Sequence, residues 1–165
     1  MSPDNQVVIV SGGSRGLGSA IVTHLLDSGR KVATFSRKPS PFVESLKSEP
    51  RFFYQAIDAT NTVEMCGMVR ETVEKWGRVD ALVNNAAIAY DGVLALMNEE
   101  HIERMLQVNL TAAIILAKEC SRQMLLTGGG SIINISSIIA QRGFSGLSVY
   151  AATKSGMIGF TKSLA

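Results

Sequence analysis

The chain has 165 residues, of which 46% are hydrophobic and 18% charged, as is typical of one globular α/β domain. Its formal net charge of +2 is too small to favour a nucleic acid or an anionic membrane surface as partner. No apolar run approaches the roughly 20 residues that span a bilayer, which excludes a membrane-spanning helix from the sequence prediction.

A glycine-rich loop follows the first predicted strand. Residues 6–10 form a short, β-branched apolar run, typical of a strand buried on both faces of a parallel sheet. Residues 11–18 (SGGSRGLG) come next, and a helical pattern then continues to Gly29. Glycines let the backbone approach a phosphate, and the helix N-terminus offers free N–H groups and a positive dipole end. This order of elements predicts a dinucleotide site rather than an ordinary strand–helix connection.

The second predicted strand, residues 31–36, ends at Arg37 and Lys38. We expect that end beside the adenosine ribose, where an acidic residue binds the 2′-hydroxyl of NAD and an arginine accommodates the 2′-phosphate of NADP. Arg37 has no acidic neighbour, and Arg15 in the glycine loop adds a second positive charge. We therefore predict NADP(H) as the cofactor, with a solvated loop charge as the alternative for Arg37.

A third strand is predicted at residues 51–57, after a loop and a short helix over residues 39–50. Asp58 follows it and has two explanations: it accepts a hydrogen bond from an adenine amino group, or it caps the next helix. That helix is predicted over residues 61–76, with Trp76 packing against the core.

Asparagines mark the next two elements. Asn84 and Asn85 follow the fourth predicted strand, residues 79–83, where such side chains either bind backbone and cofactor together or simply form a turn. Residues 98–126 form a long helical stretch that we expect to be bent or broken once. Asn109 lies inside it, where an asparagine competes with its own backbone for hydrogen bonds. We expect it to hold a local kink or a buried water leading towards the final helix.

The last part of the chain carries a pattern that favours catalysis. Ser137 follows the fifth predicted strand, residues 131–135, which reads as buried, and its hydroxyl is expected where open α/β sheets bind ligands. A helix is predicted from about Ser148, and Tyr150 and Lys154 share one of its faces because they are four residues apart. A lysine ammonium there favours the phenolate, so the phenol can exchange a proton with an alcohol or ketone oxygen.

The two cysteines, Cys66 and Cys120, lie inside helical patterns and form no CxxC pair. We expect reduced thiols rather than a disulfide or a catalytic cysteine. Together with an N-terminus that lacks a signal-peptide pattern, they predict a cytoplasmic protein. We expect no metal site, and we expect His24 and His101 at the surface without a role.

With these residues assembled, the chain resembles a short-chain dehydrogenase/reductase over essentially its whole length. The implied fold is α/β, a doubly wound parallel sheet, or Rossmann fold. Ala87 stands where that family usually has glycine, which we expect to tighten the cofactor pocket slightly. The resemblance rests on the glycine loop, with serine in place of the usual threonine, and on Asp58, Asn84, Asn85, Ala86, Asn109, Ser137, Tyr150 and Lys154.

The resemblance implies a role for each of these positions. Tyr150 would be the general acid and base, and Lys154 would assist it and bind the nicotinamide ribose. Ser137 would orient the substrate oxygen, and Asn109 would anchor a proton-relay water. The implied cofactor contacts are Gly12, Ser14, Arg15, Gly16, Leu17, Gly18, Arg37, Asp58, Ala59, Asn85, Ala86, Ala87, Tyr150 and Lys154.

Within that family, residues 13–18 and 150–165 are most similar to 3-oxoacyl-[acyl-carrier-protein] reductases. The implied activity is NADPH-dependent reduction of a 3-oxoacyl thioester in fatty acid biosynthesis, with an acyl carrier protein as partner and a homotetramer as assembly. A reductase of a free ketone, sugar or other alcohol is the close alternative. A non-catalytic NADP-binding module or inactive fragment is the alternative from another class, and a different nucleotide ligand is a third.

The resemblance also implies one more parallel strand, a substrate-covering loop and further helices. We therefore expect one NAD(P)-binding domain over residues 1–165 that is truncated after the fifth strand and inside the following helix. The fifth strand would then be an open edge that exposes apolar surface. Weak or absent turnover and a tendency to aggregate are the expected consequences.

Overall fold

The computed structural model describes residues 6–165, which form a five-stranded parallel sheet between two layers of helices. The expectation about a signal peptide concerns residues 1–5 and lies outside the described residues. The strands are β1 (Val7–Ser11), β2 (Lys31–Ser36), β3 (Phe52–Ala56), β4 (Ala81–Asn84) and β5 (Ser131–Asn134). The helices are α1 (Gly16–Asp27), α2 (Pro41–Ser45), α3 (Thr62–Trp76), α4 (Glu99–Leu106), α5 (Ala112–Leu126) and α6 (Ser148–Leu164). Each predicted strand is present within one or two residues of its expected ends.

The strand order, β3-β2-β1-β4-β5, makes β1 the strand at which the chain changes direction across the sheet. The chain builds outward from β1 through β2 to β3, then returns to the other side of β1 for β4 and β5. All five strands are parallel, so their carboxyl ends meet at one edge. A doubly wound sheet opens a crevice at such a reversal. The predicted fold class is therefore confirmed, and its ligand edge is defined.

Two hydrophobic clusters cover the two faces of the sheet. Ile9 belongs to one cluster, whereas its neighbours Val8 and Val10 belong to the other, as the alternation of side chains along a strand requires. The first cluster is filled from α3 and α5, and the second from α1 and α2. Trp76 packs edge-on against Phe53, with ring centroids 6.4 Å apart. The prediction that Trp76 is a packing residue is thus confirmed.

The cap of α3 settles one of the two explanations for Asp58. Asn61 is the capping residue, and its side chain accepts a hydrogen bond from the backbone N–H of Glu64 at 3.2 Å. The idea that Asp58 caps this helix is wrong, because Asp58 lies three residues before the cap. Gly77 ends the helix in a left-handed conformation with φ of 81°, as a glycine C-cap does.

The long helical stretch is continuous and irregular at one place. A π-helical segment, Gln107–Thr111, joins α4 to α5, which confirms the single expected break. A π segment within an α-helix often marks a functional position. Within residues 6–165, no helix combines the length and the apolar character that crossing a membrane would require.

The fifth strand differs from its prediction as a buried strand. Among the described residues, β5 pairs with β4 alone, and Ile133 is 52% exposed. A strand with one neighbour is an edge strand; Ile132 packs against the first hydrophobic cluster, whereas Ile133 points to the other face and is exposed. The expectation of an open apolar edge is confirmed, and the expectation of a buried strand is wrong.

Candidate active site and cofactor groove

A groove runs along the carboxyl ends of the strands around β1. Apart from Gly16, Tyr150 and Lys154, every cofactor contact expected from the sequence lies in its wall. These residues are Gly12, Ser14, Arg15, Leu17, Gly18, Arg37, Asp58, Ala59, Asn85, Ala86 and Ala87. Six further residues complete the wall, and the sequence did not single them out: Phe35, Ser36, Ile57, Ile88, Arg104 and Val108. Gly16 is the first residue of α1 and lies just outside the wall.

The loop after β1 is joined to the loop after β4 by reciprocal hydrogen bonds. Ser11 Oγ accepts hydrogen bonds from the backbone N–H groups of Asn85 at 2.9 Å and Ala86 at 3.0 Å. In return, Asn85 Nδ2 donates to the carbonyl oxygens of Ser11 at 3.0 Å and Gly12 at 3.2 Å. Asn85 therefore binds backbone in the way the sequence indicates, and it fixes the floor of the groove.

Asn84 faces away from the groove into the protein. Its Nδ2 donates to the Ala113 carbonyl oxygen at 3.2 Å and to Asn134 Oδ1 at 2.8 Å. Its own Oδ1 is buried without a hydrogen-bond partner among residues 6–165. Of the two adjacent asparagines, Asn84 therefore braces β4 against β5 and α5, and Asn85 shapes the groove.

The groove offers a binding place for an anion at the start of α1. Arg15 precedes the helix in an extended conformation and its side chain makes no capping hydrogen bond. No side chain at the cap accepts a hydrogen bond from the first N–H groups of the helix. Uncapped N–H groups at a helix N-terminus favour binding of a phosphate. Gly12 approaches Ala86 so closely that a Cβ at Gly12 would lie 3.0 Å from the Ala86 Cα. A cofactor pyrophosphate thus fits the charge and the space of this loop.

Two exposed arginines, Arg15 and Arg37, line the same part of the groove. Within the described part of the chain, neither makes an ion pair with a carboxylate. Both guanidinium groups therefore keep their charge and their hydrogen-bond donors for a ligand. This agrees in charge with the phosphate groups of NADP(H).

Asp58 lies two residues after β3, in the wall of the groove. Its Oδ1 accepts hydrogen bonds from the backbone N–H of Thr60 at 3.0 Å and from Thr60 Oγ1 at 2.9 Å. Its Oδ2 accepts from Arg104 Nη2 at 2.8 Å. Burial raises the pKa of this carboxyl, but the Thr60 hydrogen bonds and the Arg104 guanidinium outweigh burial and lower the pKa below its ordinary value. Asp58 is therefore a carboxylate, and only an acceptor, near neutral pH.

The second half of the candidate site is built on α6 at the end of β5. Lys154 Nζ lies 5.8 Å from the centroid of the Tyr150 ring, so the prediction that the two side chains share one helix face is confirmed. Lys154 is 4% exposed, and its Nζ donates to the Ile135 carbonyl oxygen at 2.8 Å. Burial lowers the pKa of this amine. Among residues 6–165, no carboxylate lies within ion-pair distance of it.

Ser137 follows β5 and begins a short 3₁₀ turn. Its half-buried Oγ accepts a hydrogen bond from the backbone N–H of Ile139 at 3.3 Å. Its neighbour Ser136 donates through Oγ to the Lys154 carbonyl oxygen at 3.0 Å, which ties the end of β5 to α6. The Ile135 N–H donates to the Asn84 carbonyl oxygen at 2.9 Å. Ser137, Tyr150 and Lys154 thus lie one strand further along the same sheet edge than Asn85, outside the wall of the groove.

Asn109 is buried in the π segment and makes three hydrogen bonds. Its Oδ1 accepts from the Ile88 N–H at 2.8 Å, and its Nδ2 donates to the Ile88 carbonyl oxygen at 2.8 Å and to Thr153 Oγ1 at 3.2 Å. Both amide hydrogens are therefore used within the protein. The side chain holds the loop after β4 against α6, beside Lys154. The helical irregularity lies where the kink explanation expects it, and a relay water at this position stays a prediction.

The remaining polar candidates take no part in this site. Cys66 and Cys120 are free thiols, and burial raises the pKa of both. His24 and His101 are exposed, and the His101 ring stacks on Tyr90 with centroids 3.9 Å apart. Within the described residues, no three His, Cys, Asp or Glu side chains are grouped as a metal site.

Arg104 is the functional candidate that sequence reasoning missed. It lies on α4, 46 residues beyond the Asp58 that it pairs with. An arginine on the polar side of an amphipathic helix is normally interpreted as a charged side chain exposed to solvent. No local signal distinguishes it, since the contact exists only after β3 and α4 have packed beside the same groove.

Sequence comparison places these features in a known family. The family model for short chain dehydrogenase matches residues 6–165. The chain is 36% identical over 168 aligned residues to the 3-oxoacyl-[acyl-carrier-protein] reductase FabG of Vibrio cholerae, covering all of this chain and 68% of that protein. It is 37% identical over 160 residues to carbonyl reductase family member 4 of Xenopus tropicalis, covering 97% of this chain and 68% of that protein. For the FabG of Chlamydia pneumoniae, the covered share is 65%. The chain thus spans about two thirds of the length of these relatives.

Comparison with solved structures agrees with the sequence comparison. A short-chain dehydrogenase from Streptomyces avermitilis superposes with a TM-score of 0.92 at 29% identity, covering all of this chain and 61% of that one. ElxO with NADP bound superposes with a TM-score of 0.88 at 28% identity, covering 98% of this chain and 67% of that one. The motif residues, the sheet order and these matches agree, and the chain belongs to the short-chain dehydrogenase family.

Proposed function

We propose that the protein is an NADPH-dependent reductase that converts a ketone to a secondary alcohol, with a 3-oxoacyl thioester as the favoured substrate. The observation that carries the proposal is the pair Tyr150 and Lys154. The buried Lys154 Nζ lies 5.8 Å from the centroid of the Tyr150 ring, at the sheet edge where the dinucleotide groove opens. Burying an amine without a carboxylate partner destabilises the folded protein. A role of Lys154 in the reaction would explain why the amine is nevertheless buried here.

The groove supports NADP(H) as the cofactor. The start of α1 would hold the pyrophosphate, Arg15 and Arg37 would bind the 2′-phosphate, and Asp58 would accept a hydrogen bond from adenine. The bound cofactor supplies the hydride, and the protein supplies position, electrostatics and the proton. The solved structure named as ElxO with NADP bound adds support, because its fold matches this chain over the residues that build the groove.

The proton chemistry is assigned to Ser137, which follows β5, and to residues of α6. Ser137 and Tyr150 would donate hydrogen bonds to the carbonyl oxygen and stabilise negative charge as it develops there. Tyr150 would transfer its proton to that oxygen while the carbonyl carbon receives the hydride, which gives the neutral alcohol. Lys154 would stabilise the resulting phenolate until the proton is replaced, and Asn109 would support the water that delivers it.

The substrate class is proposed from the relatives. Several are named 3-oxoacyl-[acyl-carrier-protein] reductases, which favours an acyl thioester carried by an acyl carrier protein. The homotetrameric assembly and the place in cytoplasmic fatty acid biosynthesis belong to the same proposal and rest on the family resemblance. Relatives named as carbonyl reductase family member 4 make a free ketone the nearest competing substrate.

The test separates cofactor binding from chemistry. NADPH fluorescence titration should give saturable binding, and a panel of 3-oxoacyl thioesters and free ketones should oxidise the bound NADPH. Tyr150→Phe should lower turnover at least about 100-fold with unchanged NADPH affinity, because it removes only the proton donor. Tyr90→Phe is the matched control and should behave as wild type, since the Tyr90 ring stacks on His101 and its hydroxyl has no part in the proposed proton transfer. Near-normal turnover in the Tyr150→Phe variant would contradict the assignment.

An NADP-binding module without turnover is the second candidate. It is favoured by the position of Ser137, Tyr150 and Lys154, which all lie outside the wall of the groove. NADPH binding with no oxidation by any ketone or thioester in the panel would favour this candidate over the reductase.

A further inference from the structure

We propose that Arg104 is a positioning residue for adenine recognition: it orients the Asp58 carboxylate so that the groove selects a 6-aminopurine over a 6-oxopurine. The proposal rests on the proposed function, in that it takes the ligand of the groove to be NADP(H). It concerns the adenine end of the groove, which is built entirely from described residues.

The first observation is the position of the Arg104 side chain. Its guanidinium lies in the wall of the groove beside Asp58, Ala59 and Ile57, and Nη2 donates to Asp58 Oδ2 at 2.8 Å. Both side chains of the pair are about one third exposed. An ion pair with this exposure contributes little to folding stability by itself. Holding α4 against the end of β3 is therefore a poor explanation for the Arg104–Asp58 pair.

The second observation is how the acceptor sites of the carboxylate are distributed. A carboxylate has about four lone-pair sites. Thr60 occupies those of Oδ1 with its N–H at 3.0 Å and its hydroxyl at 2.9 Å, and Arg104 occupies one site on Oδ2. The three bonds act on both oxygens and fix the rotation of the carboxylate. One acceptor site of Oδ2 is left for the groove.

That remaining site has a defined chemical preference. A carboxylate oxygen accepts hydrogen bonds and donates none when it is ionised, and Arg104 favours the ionised form. The exocyclic amino group of adenine donates a hydrogen bond and matches it. The 6-oxo group of hypoxanthine is an acceptor, so it would meet Oδ2 with lone pair against lone pair. Without Arg104 the carboxylate loses one of its three restraints and can turn away, which removes the discrimination.

The experiment measures discrimination by binding and needs no turnover. NADPH and its hypoxanthine analogue, reduced nicotinamide hypoxanthine dinucleotide phosphate, are titrated by nicotinamide fluorescence. Wild type should prefer NADPH about tenfold, as one hydrogen bond to a charged group would give. Arg104→Met and Asp58→Asn should each reduce that preference to within about twofold. Their double variant should lose no more than Asp58→Asn alone, because the two residues act as one unit.

Two further variants complete the test. Arg104→Lys keeps the positive charge and should retain part of the preference, which also covers the case in which Arg104→Met does not fold. Arg122→Met is the matched control, since Arg122 is an exposed α5 arginine with a long 3.6 Å pair to Glu119. It should keep the wild-type preference.

The outcomes separate this proposal from the one it rests on. If wild type binds neither dinucleotide, the proposed function fails and takes this inference with it. If wild type prefers NADPH and Arg104→Met keeps that preference, this inference alone is overturned. Equal weakening of both dinucleotides by Arg104→Met also overturns it, because a structural tether or a general charge effect would not distinguish the two purines.

Discussion

Replacing Gly18 by alanine tests how tightly the glycine loop is built. Gly18 is the third residue of α1, and its Cα faces the loop after β1. A Cβ there would lie 2.2 Å from the Gly12 carbonyl oxygen and 2.7 Å from Asn85 Nδ2. Both distances are far below van der Waals contact, and the first is to backbone, so α1 or the loop must move. The movement should break the Asn85–Gly12 hydrogen bond of 3.2 Å.

The size of the effect follows from three contributions. Overpacking of this kind costs about 1–3 kcal/mol, and the lost hydrogen bond about 1 kcal/mol. Alanine in place of glycine within a helix raises the free energy of unfolding by up to about 1 kcal/mol. Gly18→Ala should therefore lower the free energy of unfolding by about 1–4 kcal/mol. It should also weaken NADPH binding, because the displaced loop forms the phosphate end of the groove.

Gly67→Ala is the matched control, since Gly67 also lies in a helix but its Cβ would meet only the Arg70 guanidinium, at 3.9 Å. It should raise the free energy of unfolding by up to about 1 kcal/mol. Urea unfolding followed by the fluorescence of the single tryptophan, Trp76, compares the two variants. Equal stability of Gly18→Ala and Gly67→Ala would refute the reasoning about the loop.

Three other substitutions test separate contacts in the same urea assay. Thr34→Val should lower the free energy of unfolding by about 1–3 kcal/mol, because the buried hydroxyl accepts from the Gly13 N–H and donates to the Val10 carbonyl; Thr34→Ser should restore most of it. Asn109→Leu should cost about 2–4 kcal/mol, because it leaves two backbone groups of the loop after β4 unpaired. A loss below about 0.5 kcal/mol would mean that water replaces these bonds. Because burial lowers the pKa of Lys154, protonation of that amine opposes folding below its lowered pKa. The stability of wild type relative to Lys154→Met should therefore rise with pH up to the ordinary lysine pKa near 10.4, and a constant or falling difference between pH 7 and pH 10 would contradict this.

The sheet and the glycine loop could be predicted because their signals are local. β-branched runs, glycines and helix-stopping residues act on their own neighbours in the chain, so β1 and α3 were found within a residue or two. The spacing of Tyr150 and Lys154 is also local, because helix periodicity alone brings them together. These contacts need no knowledge of which elements become neighbours.

The contacts that sequence reasoning missed are those between elements distant in the chain. Arg104 pairs with Asp58 across 46 residues, and nothing in the sequence says which side of α4 turns towards β3. The apolar run of β5 has the same composition whether one strand or two lie beside it, so its edge position was predicted from the family resemblance and not from the run itself. The sequence supports two explanations for Asp58 for the same reason. Its partner Arg104 comes from α4, and the residue that actually caps α3, Asn61, lies only three residues further along the chain.

One continuous helical stretch connects the two ends of the candidate site. Arg104 contacts Asp58 after β3, and five residues later Asn109 contacts Ile88 after β4 and Thr153, the residue before Lys154. The stretch therefore links Asp58, the proposed adenine contact, to the residues proposed for proton transfer. Asn109 lies inside the π segment, Gln107–Thr111, where the chain departs from regular α-helical hydrogen bonding. The irregularity thus coincides with the residue that joins the loop after β4 to α6, five residues from the Arg104 that contacts Asp58.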